Sequence, residues 1–144
     1  MIVLDTNVVS ELMKATPARR VVDWIAAQPA TSLYTTSVTQ AEILHGIALL
    51  PSGKRRRALE VAAEAMFRDD FDGRVLPFGS DAAPAYARIA VERRRAGRPI
   101  SQFDAQIAAI ARSADASIAT RNVADYDACG VKVIDPWRDD ESAR

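Results

Sequence analysis

A chain of 144 residues suffices for one domain that buries roughly 68–70 % of the surface its unfolded form exposes, so no covalent staple is required. The single cysteine, Cys129, excludes an intrachain disulfide and suits a reducing cytoplasm; the N-terminal apolar run has no basic lead-in and meets Asp5 after three apolar residues, which is expected to exclude a signal peptide or membrane span. Nineteen basic and nineteen acidic residues cancel, which excludes a strong overall field toward nucleic acid and leaves any such attraction to local clusters.

Ile2-Val3-Leu4 reads as a short strand of a parallel sheet, buried on both faces and stopped by Asp5. In open α/β sheets ligands bind outside the carboxyl ends of the strands, which would make Asp5 face a site. The competing reading is that Asp5 or Thr6 caps a helix over 8–13 by accepting a backbone N–H. Thr16-Pro17 then predicts an N-cap with proline in the first helical turn, followed by an apolar face of Val21, Val22, Trp24 and Ile25. Gln28-Pro29 ends that helix, and the β-branched and aromatic content of 32–36 predicts a second strand.

Over 37–50, Ala41, Ile43, Leu44, Ile47 and Leu50 recur at helical spacing. Pro51-Ser52-Gly53 breaks the chain, and a helix from near Ser52 carries Lys54-Arg55-Arg56-Arg57 before Leu59, Ala62 and Ala63 on its inner side. A third strand is predicted over 74–78, and Ser80-Asp81 starts a helix in which Tyr86, Ile89 and Ala90 point inward. That helix ends in Arg93-Arg94-Arg95 before Gly97, with cations at the negative end of its dipole. Arg98-Pro99-Ile100 is extended, and Ser101 opens a helix whose core stripe is Ile107, Ala108, Ile110 and Ala111. A fourth strand over 117–120, a turn or short helix over 122–127 and a fifth strand over 131–134 follow. Residues 1–137 are read as one domain and 138–144 as a polar, frayed tail. Short apolar strands alternating with longer helices predict a parallel sheet covered on both faces, with strand order left open.

All strand-to-helix exits of such a sheet lie on one edge, and that edge collects acids: Asp5, Glu42, Asp104 and Asp125, with Asn122 beside the last. Each has a local alternative, since Thr39-x-x-Glu42 and Ser101-x-x-Asp104 have capping-box spacing, and Glu42 alone reads best as a cap. Together, several carboxylates within a few ångströms repel one another unless some protonate or a cation neutralises them. The donors are oxygens, with only His45 and Cys129 as softer groups, which suits Mg²⁺, with Mn²⁺ able to substitute, and not structural zinc. An ion held this way can activate water and stabilise charge in phosphodiester hydrolysis. His45 has no nucleophile at hand and reads as structural, and no glycine-rich phosphate loop occurs. A covalent intermediate at Asp5 lacks its second acid, because Asn7 stands two residues on.

The set Val3-Leu4-Asp5-Thr6-Asn7, Glu42, Ser101-Gln-Phe-Asp104-Ala-Gln-Ile107-Ala108-Ala109 and Thr120-Arg121-Asn122-Val-Ala-Asp125-Tyr126 resembles the PIN domain, and more narrowly the VapC-type toxin ribonucleases of the FitB-like branch. The resemblance implies a three-layer α/β/α sandwich with a central parallel sheet of four to five strands, and a Mg²⁺-dependent endoribonuclease. It also implies a homodimer and a cognate antitoxin, with operator DNA bound only through the complex with that antitoxin. Carried over by position, Asp5, Glu42 and Asp104 match the metal-binding acids, and either Asn122 or Asp125 fills the fourth place. Thr6 and Thr120 resemble hydroxyl residues that orient the site and touch substrate, Arg121 faces a phosphate, and Tyr126 stands where an aromatic anchor, commonly Phe, is found. Under this reading Arg55 to Arg57, Arg93 to Arg95 and Arg98 become candidates for phosphate contact, against a solvated basic face, and single-stranded or looped RNA is the expected substrate. The alternatives are a metal-dependent DNA or flap nuclease and a partner-binding module whose acids are only caps.

Overall fold

Parallel strands buried on both faces pair through short runs, and the computed structural model, which describes residues 1–138, has five of them: β1 (Ile2–Leu4), β2 (Leu33–Thr36), β3 (Val75–Leu76), β4 (Ser117–Ala119) and β5 (Val133–Ile134). Every pairing is parallel and the spatial order is β3-β2-β1-β4-β5. The chain therefore builds outward from β1 on one side and then returns to add β4 and β5 on the other. That reversal makes the gap between β1 and β4 the switch point, where the helices leaving adjacent strands diverge and open a crevice. The register Leu4 opposite Ala119 sets Asp5 and Thr120 side by side at its mouth.

Six helices cover the sheet: α1 (Thr6–Leu12), α2 (Arg19–Ala26), α3 (Ser37–Ala48), α4 (Lys54–Ala65), α5 (Ala83–Arg95) and α6 (Gln102–Ser113). Alternate residues of a strand face opposite ways, and the core divides accordingly. Val3 and Ile118 pack with Ile89 of α5 and Ile107 and Ile110 of α6, whereas Leu4 and Ala119 pack with Val8, Val9, Val21, Ile43, Ile47 and Ala63 on the other face. This is the three-layer α/β/α sandwich with a central parallel sheet. Ile107 to Ala111 of α6 are all buried, because alanine at three of the five positions lets the sheet and α5 approach closely from different sides.

Several local expectations need correction. Helix α2 starts after Ala18 with no side-chain cap, so Thr16 and Pro17 precede it. Val22, Ala41, Leu44 and Ala62 are exposed, because the faces of α2, α3 and α4 toward the sheet are narrower than their apolar composition suggests. β3 pairs over only two residues of the expected five, and α4 continues into a π-helical turn, Met66–Asp70, that brings Phe67 and Phe71 into the core. The polar tail, beyond Arg138, lies outside the described residues.

Candidate active site

Asp5 answers both readings of it. Its backbone stays extended and its amide donates to Ala119 O at 3.0 Å, which completes the β1–β4 ladder. One carboxylate oxygen, Oδ1, accepts the Thr6 amide at 2.8 Å and caps α1; the other, Oδ2, accepts the Thr120 hydroxyl at 2.8 Å and turns to the crevice. Burial pushes its pKa above the ordinary aspartate value, the hydrogen bonds from Thr120 and Thr6 oppose this, and the charge of Asp104 adds to it.

Thr120 is the hub behind Asp5. Its hydroxyl gives its one proton to Asp5 and accepts from Asn7 Nδ2 at 3.0 Å and from the Asn122 amide at 3.1 Å, which fills its hydrogen-bonding capacity. Fully buried, Thr120 holds the carboxylate and is closed to substrate, contrary to the substrate-binding role expected of it. Asn7 is a residue that sequence reasoning passed over: Nδ2 also lies 3.3 Å from Asp5 Oδ2, and Oδ1 accepts the Arg121 amide at 3.1 Å. The run Asp5-Thr6-Asn7 thereby ties the loop after β4 to the end of β1. Arg121 and Asn122 are exposed on that loop, with the Arg121 guanidinium 5.1 Å from the centre of the Trp137 ring.

Glu42 does not cap its helix. Thr36 is the N-cap of α3, its hydroxyl accepting the Thr39 amide, and Glu42 lies in the second turn, where it accepts the Thr6 hydroxyl at 3.0 Å. Thr6 lies 3.0 Å from the buried Thr39 hydroxyl. Since Thr6 has one proton and gives it to Glu42, Thr39 donates to Thr6. Burial raises the Glu42 pKa, the Thr6 bond opposes it, and the charges of Asp5 and Asp104 reinforce it.

Asp104 reaches the same hollow from α6. Ser101 caps that helix through the Asp104 amide, as its spacing predicts, while the Asp104 carboxylate turns away from the cap and accepts the Tyr126 hydroxyl at 3.2 Å. Burial and the charges of Asp5 and Asp104 push the Tyr126 phenol far above its ordinary value, so it stays a protonated donor.

Asp125 and the basic cluster behave otherwise. The Asp125 side chain is exposed, and no hydrogen bond or ion pair among the described residues joins its carboxylate to the other three acids. Arg93 is buried and occupied: it donates to Arg98 O at 2.7 Å and to the carbonyls of Asp125 and Asp127 at 2.9 and 2.8 Å, so it is not a phosphate contact. Arg98 pairs with Asp127 and Arg56 with Glu60, which leaves Lys54, Arg55, Arg57, Arg94 and Arg95 as the exposed cations of the two runs without an ion pair among the described residues. His45 is exposed.

Three carboxylates, from the end of β1, the second turn of α3 and the first turn of α6, thus feel one another's charge, each held by a hydroxyl from a different segment. The donor set is all oxygen, and burial with the neighbouring carboxylate charge disfavours the ionised forms of Asp5 and Glu42, which a hard divalent cation would relieve. Among the described residues no three or more acid, histidine or cysteine side chains stand close enough together to hold a metal ion by themselves. An ion that keeps several waters and uses few protein carboxylates fits such an open arrangement, and Mg²⁺ is of that kind. Beside the hollow, a groove of about 690 Å³ is lined by Met13, Ile47 and Leu59, with Glu42 and Arg55 among its polar walls.

Comparison with known families matches the PIN domain to residues 2–128. The chain belongs to the PIN-domain family. Among PIN-domain relatives it is 42% identical over 137 residues to the VapC ribonuclease Y4jK of Sinorhizobium fredii, spanning 95% of this chain and 98% of that one. It is 37% identical over 139 residues to the toxin FitB of Neisseria gonorrhoeae, spanning 96% and 100%. The solved structure of FitAB bound to an IR36 DNA fragment superposes with a TM-score of 0.92 at 36% identity, covering 98% of this chain and 99% of that one. The fold seen here is therefore shared with a chain of that DNA-bound FitAB structure. No helix among the described residues is long and apolar enough to cross a membrane.

Proposed function

We propose that this chain is the toxin of a type II toxin–antitoxin pair and a metal-dependent endoribonuclease that hydrolyses RNA phosphodiester bonds. The observation that carries this reading is a PIN fold whose relative is named a ribonuclease, supported by the charges of Asp5 and Asp104 acting on Glu42 near the switch point. Asp5, Glu42 and Asp104 hold Mg²⁺, with Mn²⁺ as a substitute. When bound, the ion supplies a polarised water and charge stabilisation at the phosphoryl oxygens. Thr120 and Thr6 fix the rotamers of Asp5 and Glu42. Arg121 at the mouth and Arg55 along the groove bind the phosphate backbone, and the exposed Asn122 serves the fourth position through its amide or a water. Asp125, with its carboxylate in solvent, is the weaker candidate for that place.

The relatives' complexes support an antitoxin as partner, with operator DNA reached only through it. The groove beside Glu42 is apolar enough to take a segment of that partner, whose seating would close access to the carboxylates. The chain acts in the cytoplasm as a homodimer. Incubation of the purified protein with single-stranded RNA and, separately, single-stranded and flap DNA, with Mg²⁺ or with chelator, tests the reading. RNA cleavage that chelator abolishes is expected; preferential cleavage of DNA, or cleavage indifferent to chelator, overturns it.

A further inference from the structure

Tyr126 does two separate things with its two ends. Tyr126 is 1% exposed, its ring packed in the core with α6 and β4, and its buried hydroxyl borders the acidic hollow, donating to Asp104 Oδ1 at 3.2 Å with Asp5 also within hydrogen-bonding reach. A phenylalanine would fill the same space, so packing alone gives no role to the oxygen. The backbone on which the ring hangs is clamped from behind. Arg93, 6% exposed, donates through one nitrogen to the carbonyls of Asp125 and Asp127, the residues on either side of Tyr126. Its Nε donates to Arg98 O, and Arg98 pairs with Asp127 at 2.6 Å, which closes the clamp around the short 3-10 turn Val123–Tyr126.

We propose that the Tyr126 hydroxyl, held in place by Arg93, is a positioning group that engages one oxygen of Asp104 and leaves the other turned to the divalent ion. The inference rests on the metal-nuclease reading above and assigns Tyr126 no contact with substrate. A carboxylate has two oxygens and a freely turning terminal bond, so an open site with few protein ligands depends on outer hydrogen bonds to fix which oxygen is presented; loss of such a partner typically weakens metal binding about 10–100-fold.

The test is titration calorimetry of Mn²⁺ into the full chain, its Tyr126→Phe variant and its Asp104→Asn variant, with melting temperatures in chelator alongside. Tyr126→Phe is expected to weaken Mn²⁺ binding about tenfold or more, to leave the melting temperature in chelator unchanged, and to regain its RNA cleavage rate at saturating Mn²⁺. Mn²⁺ affinity equal to wild type in Tyr126→Phe, whatever its melting temperature, overturns the inference while loss of binding in Asp104→Asn keeps the metal reading intact. Wild-type affinity in Asp104→Asn overturns both.

Discussion

Glu42 shows most plainly that the acids sit where they do at a cost to the folded chain. Its carboxylate is harder to ionise in the fold than in the unfolded chain, where 4.5 applies. A carboxyl group with a raised folded pKa is favourable to folding when protonated, and that advantage is lost as pH rises from the unfolded value through the folded one. In chelator, Glu42→Gln, which keeps an oxygen for the Thr6 hydroxyl, is therefore expected to melt at or above the wild-type temperature at pH 7. The difference should close as pH falls toward 4.5. Melts of both proteins across that range check the sign; a variant that is less stable at pH 7 contradicts it. Thr120 gives the opposite case, a group that stabilises. Thr120→Val strips a fully buried hydroxyl from Asp5 Oδ2, Asn7 and the Asn122 amide, and should cost about 1–3 kcal/mol in denaturant unfolding, with Thr120→Ser restoring most of it.

Among the helices, α5 separates one arginine from its neighbours. Arg93 turns inward and serves carbonyls some thirty residues further along the chain, while Arg94 and Arg95 point to solvent. Arg93→Met should lower stability by about 2–4 kcal/mol, since several charge-assisted hydrogen bonds are lost and the Asp127 carbonyl keeps only the weak Cys129 thiol donor; Arg94→Ala should change it by less than about 0.5 kcal/mol. Urea unfolding of the two variants distinguishes them, and equal effects would refute the clamp. The same helix explains what could be read from sequence. The Ser101 cap, the alternation of strands and helices and the positions of Asp5 and Asp104 follow from local patterns with a mechanism of their own. Nothing local marks Arg93, because three consecutive arginines differ only in which way the helix turns them. The cap alternative for Glu42 fails for a related reason: Thr39-x-x-Glu42 has cap spacing, but the chain enters α3 one turn earlier, at Thr36. Asn7 and the Tyr126 hydroxyl have partners 113 and 22 residues away, which no spacing rule reaches.

In the proposed reading the whole fold brings those distant acids to one rim, and a chain of zero net charge offers no overall field to draw in cations or RNA. In the reading proposed above, attraction for a cation is local to the switch point, where β1 and β4 set Asp5 beside Thr120 and where the charges of Asp5 and Asp104 reach Glu42. A divalent ion that binds the folded chain alone stabilises it by mass action, about 2.7 kcal/mol at a hundred times its Kd. That linkage is available only if the three carboxylates act as one site. The measurement that bears on this most directly is electron paramagnetic resonance of Mn²⁺ titrated with wild type, Asp5→Asn, Glu42→Gln and Asp104→Asn, since protein-bound Mn²⁺ loses the sharp signal of the free ion. One class of bound ion in the wild type, weakened in each of the three variants, is the expected result. Binding that survives unchanged in any one of them would show that the acid concerned stands apart, and would contradict a shared site.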